Sequence, residues 1–140
     1  MRKNRKKKKV SKYPVRCLIL LSVETNDNLV IVEQKEKRQF KYIVEYAKAN
    51  NLIPMKIIRK GFMGERGKKI LLDNAMKLLE KGIADAILVA NMESISYGIA
   101  DAYMRVGIIV EHGYRVFSVD EGELRMNLYH QIESEVNYYG

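Results

Sequence analysis

The run Gly61-Phe62-Met63-Gly64-Glu65-Arg66-Gly67-Lys68-Lys69 mixes three glycines with three cations, the composition of a loop that cradles phosphate. The spacing does not fit a nucleotide loop. Such a loop places four residues between its first glycine and the Gly-Lys pair, whereas Gly61 to Gly67 leaves five. Lys69 also stands where Ser or Thr would ligate magnesium. What remains is a flexible loop whose Arg66, Lys68 and Lys69 gather near a helix N-terminus, a weak anion site. Asp27, Glu93, Asp120 and Glu121 fall at or near strand ends and supply oxygen ligands of the kind a divalent cation takes. Four acids spread over three loops are more commonly a solvated pattern, and no metal site is assigned. His112, in Glu-His-Gly, and His130 read as capping or surface residues. Cys17 lies inside an apolar run and reads as a small core residue. No Ser-His-Asp or Cys-His arrangement can be assembled, and no cofactor is implied.

These residues belong to a chain of 140 residues and 16.2 kDa, enough for one domain with one real core. Hydrophobic residues make up 47% and charged residues 30%, a globular composition rather than a disordered one. A single cysteine excludes a disulfide framework and points to a reducing, cytoplasmic compartment. No apolar run approaches the roughly 18 residues of a membrane span, and Cys17 to Leu21 is too short for a signal-peptide core. No membrane association is expected.

The net charge of +8 is local. Residues 1–16 carry nine of the 25 basic residues and no acid, leaving 16 basic against 17 acidic residues in the remainder, a net of −1. Residues 1–13 are therefore expected to be a disordered basic tail on a near-neutral domain. Arg2, Lys3, Arg5, Lys6, Lys7, Lys8, Lys9 and Lys12 are its candidate contacts to DNA or another polyanion, with Arg66, Lys68 and Lys69 as a second group. The alternative reading of the tail, placed behind phosphate contact, is a solubilising terminus.

Beyond the tail the periodicity is regular. Val15 to Val23 is a nearly continuous apolar run, as in a strand covered on both faces. Phe40, Ile43, Val44 and Ala47 repeat at helical spacing before a stop at Asn50-Asn51. Residues 52–59 read as a second strand, where Pro54 marks an edge or a strand start. Leu71, Leu72, Ala75, Leu78 and Leu79 predict a second helix ending at Gly82, and Ala84 to Ala90 a third strand. Ile99, Ala102, Tyr103, Val106 and Val110 predict a third helix closing at Gly113, followed by a strand over Tyr114 to Val119. Leu124, Leu128, Ile132 and Val136 then form an apolar stripe on an amphipathic helix over 124–140, a candidate interface. The sum is an α/β layered sandwich over 14–123 on a mostly parallel central sheet of about four strands. Ligands of such sheets bind beyond the strand C-termini, here segments 22–28, 60–68, 91–97 and 120–123.

Four of these segments, in order, resemble the catalytic domain of serine recombinases, the resolvases and invertases. Arg38-Gln39, Ile43 and Tyr46-Ala47-Lys48-Ala49-Asn50 are similar to that family's first helix, and Gly61-Phe62-Met63-Gly64 to its Gly-x-Ser-Gly. Lys81-Gly82-Ile83-Ala84-Asp85-Ala86-Ile87-Leu88-Val89 resembles the approach to its third strand. Glu111-His112-Gly113-Tyr114-Arg115-Val116-Phe117-Ser118-Val119-Asp120-Glu121 resembles its last helix-to-strand passage. The resemblance covers residues 15–125 and implies a resolvase-like fold and a link to site-specific DNA recombination.

The positions at which the family carries its chemistry differ. Where its first strand ends Arg-Val-Ser-Thr, with the serine as nucleophile, this chain has Ser22-Val23-Glu24-Thr25. Where its third strand leads into Asp-Arg-Leu-Ser-Arg, this chain has Glu93-Ser94-Ile95-Ser96-Tyr97, so both clamp arginines are absent. The serine of Gly-x-Ser-Gly is Met63, and the arginine opening the second helix aligns with Lys69, with Arg66 nearby. Shifting the nucleophile to Ser22 keeps the strand face but moves it about 6.5 Å, beyond the roughly 3.5 Å reach of in-line transfer. The expectation is a recombinase-like protein without strand cleavage, binding DNA or pairing with itself or an active recombinase. An active recombinase with a rearranged site, or a nucleic-acid-binding module using only the tail, are the alternatives.

Overall fold

A computed structural model describes residues 13–23, 28–61 and 66–125. Strand β1 (Val15–Leu21) leads to helix α1 (Leu29–Ala49) and strand β2 (Leu52–Arg59), then helix α2 (Gly67–Glu80) and strand β3 (Ala86–Val89). A 3-10 turn (Met92–Ser94) precedes helix α3 (Ile99–Glu111), strand β4 (Arg115–Ser118) and strand β5 (Gly122–Leu124). The sheet order is β2-β1-β3-β4-β5, with the first four strands parallel and β5 antiparallel to β4.

Strand β1 is apolar on both faces because helices cover both. Val15, Cys17, Ile19 and Leu21 point to α1, where they meet Ile43 and Ala47. Leu18 and Leu20 point the other way, into a larger cluster with Leu71, Leu72, Ala75 and Leu79 of α2 and Ala102, Val106 and Ile109 of α3. Each fully buried Leu or Ile on these faces contributes about 1.5–3 kcal/mol of apolar transfer. Burial also pushes the Cys17 thiol up to about 12, which leaves it an inert packing residue.

The ends of the elements follow from local chemistry. Asn28 caps α1, its Oδ1 accepting from the Ile31 N–H at 3.0 Å. Gly82, at φ +79°, lets the chain turn back after α2 so that the Gly82 and Ile83 N–H groups reach the Leu79 and Leu78 carbonyls. Pro54 does lie on an edge strand, and β2 carries an irregularity opposite Cys17/Leu18 that shifts its register. Proline and a bulge together blunt an edge against further strand pairing.

The sheet has five strands rather than about four, and the extra one corrects the reading of Leu124. Leu124 closes β5, pairs with Val116 and is buried in the larger cluster, so it does not open a helical stripe. Gly122, at φ +83°, follows a tight turn, and Arg115 on β4 binds Glu123 on β5 through two nitrogens at 2.8 and 3.0 Å. The turn and the cross-strand pair make a hairpin where the apolar spacing suggested a helix. Leu128, Ile132 and Val136 lie outside the described residues, as do residues 1–12. Arg16, counted with the basic tail, belongs to the domain: its guanidinium pairs with Asp85 at 3.0 and 3.1 Å. Among the described residues no helix is long and apolar enough to cross a membrane.

Candidate functional site

The chain runs from β1 outward to β2 and then crosses back over β1 to β3, so the sheet order reverses between β1 and β3. In open α/β sheets that reversal leaves a crevice at the strand C-termini. Here it is bounded by Ser22 and Val23 after β1, Lys60 after β2, the first turn of α2, and Asn91 to Tyr97 after β3.

Ser22 is 7% exposed, and its Oγ has no hydrogen-bond partner among the described residues. Its backbone is held instead by Gln39 of α1. The Ser22 N–H donates to Gln39 Oε1 at 2.8 Å, and Gln39 Nε2 donates back to the Ser22 carbonyl at 3.0 Å. The side-chain amide thus continues the β1 ladder one residue beyond its end and fixes the Ser22 backbone in place. Lys60 is also buried, with its N–H on the Leu21 carbonyl at 2.9 Å.

Lys68, in the first turn of α2, is buried. Its ammonium donates to the Glu93 carbonyl and lies 3.6 Å from the centre of the Tyr97 ring. A cation over an aromatic face and on a carbonyl is stabilised there, and its donors are partly committed. The neighbouring serines are engaged too. Ser94 donates to Asn91 Oδ1 through N–H and Oγ, at 3.1 and 3.2 Å. Ser96 Oγ donates to Asp101 Oδ2 at 2.5 Å, and that bond, together with Arg105 at 2.7 Å, holds the Asp101 carboxyl below its ordinary range.

The structure therefore gathers Ser22, Lys68, Glu93, Ser94 and Tyr97 at one rim. Lys69 is turned along α2, where its ammonium meets Asp73 at 3.1 Å, and Arg66 is exposed at the helix cap. Glu24 and Met63 lie outside the described residues. Of the strand-end acids, Asp120 accepts from the Tyr42 hydroxyl and Glu121 from Ser118, while Asp27 is not described. Among the described residues no three His, Cys, Asp or Glu side chains converge as metal ligands would. His112 caps α3, its Nδ1 lying 2.8 Å from the accepting Ile108 carbonyl.

Two residues of this rim escaped the sequence reading. Lys60 carried no signal, because a lysine ending a strand ordinarily reaches solvent. Gln39 was visible only within the helix resemblance; its clamp on Ser22 depends on how α1 packs.

No family model matches the sequence, and no curated protein matches it. Solved structures do match. The N-terminal catalytic domain of TP901-1 integrase aligns at a TM-score of 0.60 and 18% identity, over 89% of this chain and 95% of that one. A resolvase-family site-specific recombinase from Streptococcus pneumoniae aligns at 0.64 and 14% identity, over 89% and 87%. The C-terminal catalytic domain of ISC1926 TnpA, an IS607-like serine recombinase, aligns at 0.53 and 18% identity, over 89% and 79%. With helices on both faces of a mostly parallel sheet and a crevice at the β1/β3 reversal, this chain has the fold of serine-recombinase catalytic domains.

Proposed function

We propose that this chain is a serine-recombinase-like protein linked to site-specific DNA recombination that binds DNA, or pairs with itself or an active recombinase, without cutting strands. One observation carries the reading: among the described residues, the groups at the rim that would grip a phosphate are bonded to one another. A phosphate under attack needs donors and cations free to surround its oxygens. Lys68 is bound to the Glu93 carbonyl and the Tyr97 ring, Ser94 and Ser96 donate to neighbours, and the Ser22 hydroxyl is buried. The sequence adds Glu24 in place of a nucleophile and no arginine at Ser22, Ser94 or Tyr97. Binding then falls to the tail cations from Arg2 to Lys12, and self-pairing to Leu128, Ile132 and Val136.

The unbonded Ser22 hydroxyl favours a second reading, an active recombinase with a rearranged site. Rotating into the crevice would require the DNA to come to it with no arginine to hold it.

A titration of duplex DNA over a range of salt tests the binding half of the proposal. Each phosphate contact contributes about −0.9 to the slope of log affinity against log salt. Replacing Lys6, Lys7, Lys8 and Lys9 by Gln should flatten that slope by several units and cost most of the affinity. An unchanged slope would move the contact from the tail to the domain.

A further inference from the structure

Tyr97 is an exposed aromatic ring on a loop that is otherwise tied down. Ser94, Ile95 and Ser96, the three residues before it, are 3%, 1% and 8% exposed, whereas Tyr97 is 53% exposed. Asn91 caps the turn through the Ser94 N–H, and Ser96 Oγ donates to Asp101. Arg105 donates to the Ile95 carbonyl at 3.5 Å, and Lys68 donates to the Glu93 carbonyl. A loop held at this many points presents its ring in one place, so little freedom is lost when a ligand settles on it.

The two faces of the ring differ. The Lys68 ammonium lies 3.6 Å from the ring centre, and Lys68 is itself buried, so the exposed area of Tyr97 belongs to the opposite face and the edges. A cation on one face draws the π electrons toward itself and leaves the other face poorer in them. That outer face repels a second cation and stacks best on a flat, electron-rich partner. The charges about it favour a ring over a phosphate. Glu93 is exposed four residues earlier, Lys69 is paired with Asp73, and Arg66 is an exposed cation at this end of α2. Ile99, 65% exposed and two residues on, adds apolar surface at the start of α3.

We propose that the outer face of Tyr97 is a stacking platform for a nucleobase, a purine ahead of a pyrimidine. A purine is the larger and more electron-rich of the two ring systems, and stacking on an aromatic side chain needs no hydrogen bond to the base. Its place, at the β1/β3 reversal, is where ligands of such sheets bind. The base comes either from an unpaired position in a DNA strand or from a free nucleotide. Binding here needs neither a nucleophile at the rim nor the cations of residues 1–12.

The test is a titration of the isotopically labelled full chain with dAMP, followed by amide resonances. Shifts should concentrate at residues 93–99. Adenosine should reproduce them, and deoxyribose phosphate, which lacks the base, should not. Tyr97→Leu removes the ring from an exposed position on which the core does not depend, and should weaken dAMP about tenfold. Tyr97→Phe keeps the ring and should bind as the native chain does. Lys68→Met removes the cation behind the ring, so N-methylated nicotinamide, a planar cation, should bind that variant and not the native chain. A single-stranded oligonucleotide that shifts residues 93–99 where its duplex does not identifies an unpaired base as the source, and shifts with dAMP alone identify a free nucleotide. Duplex affinity and its salt slope should be the same in Tyr97→Leu as in the native chain, which keeps this test apart from that of the tail. Shifts confined to another surface, an equal response to deoxyribose phosphate, or equal dAMP affinity in Tyr97→Leu would overturn the proposal.

Discussion

Between Val15 and Leu21 strand β1 buries an almost unbroken apolar run, and one residue further on the chain buries a hydroxyl with no partner among the described residues. The interior and the rim of the sheet differ in this way throughout. Inside, Leu18, Ile19, Ile87 and Leu88 are fully covered by carbon on both faces. At the rim, Ser22, Lys60, Lys68, Ser94 and Ser96 are buried as polar groups, most held by a neighbour and one not. Interior positions need only shape and apolarity, so a fold survives at 14–18% identity to recombinase domains. Rim positions need specific chemistry, and on the proposed reading the residues there have changed. The architecture is retained where packing demands it; that the catalytic set is not retained at the rim is the proposal to be tested.

The largest expected effect lies in the interior. Leu18→Ala should cost about 2–5 kcal/mol, because the covered strand cannot collapse onto the space it leaves. The urea midpoint measures it, and a loss under about 1 kcal/mol would mean that the interior is looser than its burial implies. Ser22→Ala should do the reverse. It deletes a buried hydroxyl without a partner, so stability should rise by about 1 kcal/mol. A clear loss on Ser22→Ala would show that the hydroxyl has a partner and would erase the contrast between the two regions.

Acid sharpens the comparison further. The Glu123 carboxyl is held below its ordinary 4.5, chiefly by the Arg115 hydrogen bonds, and Asp101 below its ordinary 3.8, chiefly by Ser96. In both cases the unfolded chain binds protons more readily than the folded one. Their stabilisation is complete above the ordinary carboxylate values and is lost as pH falls through the lowered ones. The urea midpoint should therefore drop between about pH 6 and pH 3. Glu123→Gln should flatten the part that belongs to the sheet edge, and Ser96→Ala the part that belongs to the rim. A midpoint constant over that range would contradict both assignments.

The fold was legible because its signals are local and repetitive. The run at Val15, the helical spacing of Phe40 to Ala47, the stops at Gly82 and Gly113 and the proline at position 54 each reflect a rule that acts within a few residues. The β4–β5 hairpin was not legible, since Leu124 satisfies a four-residue spacing and a strand equally well until Arg115 and Glu123 are seen to pair. That Ser22, Lys68, Glu93, Ser94 and Tyr97 lie beyond the strand C-termini was legible, because strand order brings loop ends together. Their state was not. That Gln39 continues the ladder and that Lys68 rests on Tyr97 depend on side-chain placements across elements 17 to 29 residues apart in sequence, beyond any local pattern.

Whether the rim cuts DNA is decided most directly by looking for the covalent intermediate. The native protein is incubated with nicked duplexes carrying recombination sites, denatured, and examined for a protein–DNA adduct. An anion at Glu24 placed about 4 Å from a phosphate would cost roughly 4 kcal/mol at an effective dielectric near 20. That is on the order of a thousandfold in rate, before the missing arginines are counted. The expected result is no adduct with the native chain and none with Glu24→Ser, which restores a hydroxyl without its electrostatic surroundings. An adduct mapped to Ser22, Ser94 or Ser96 would contradict the account and make this chain a working recombinase.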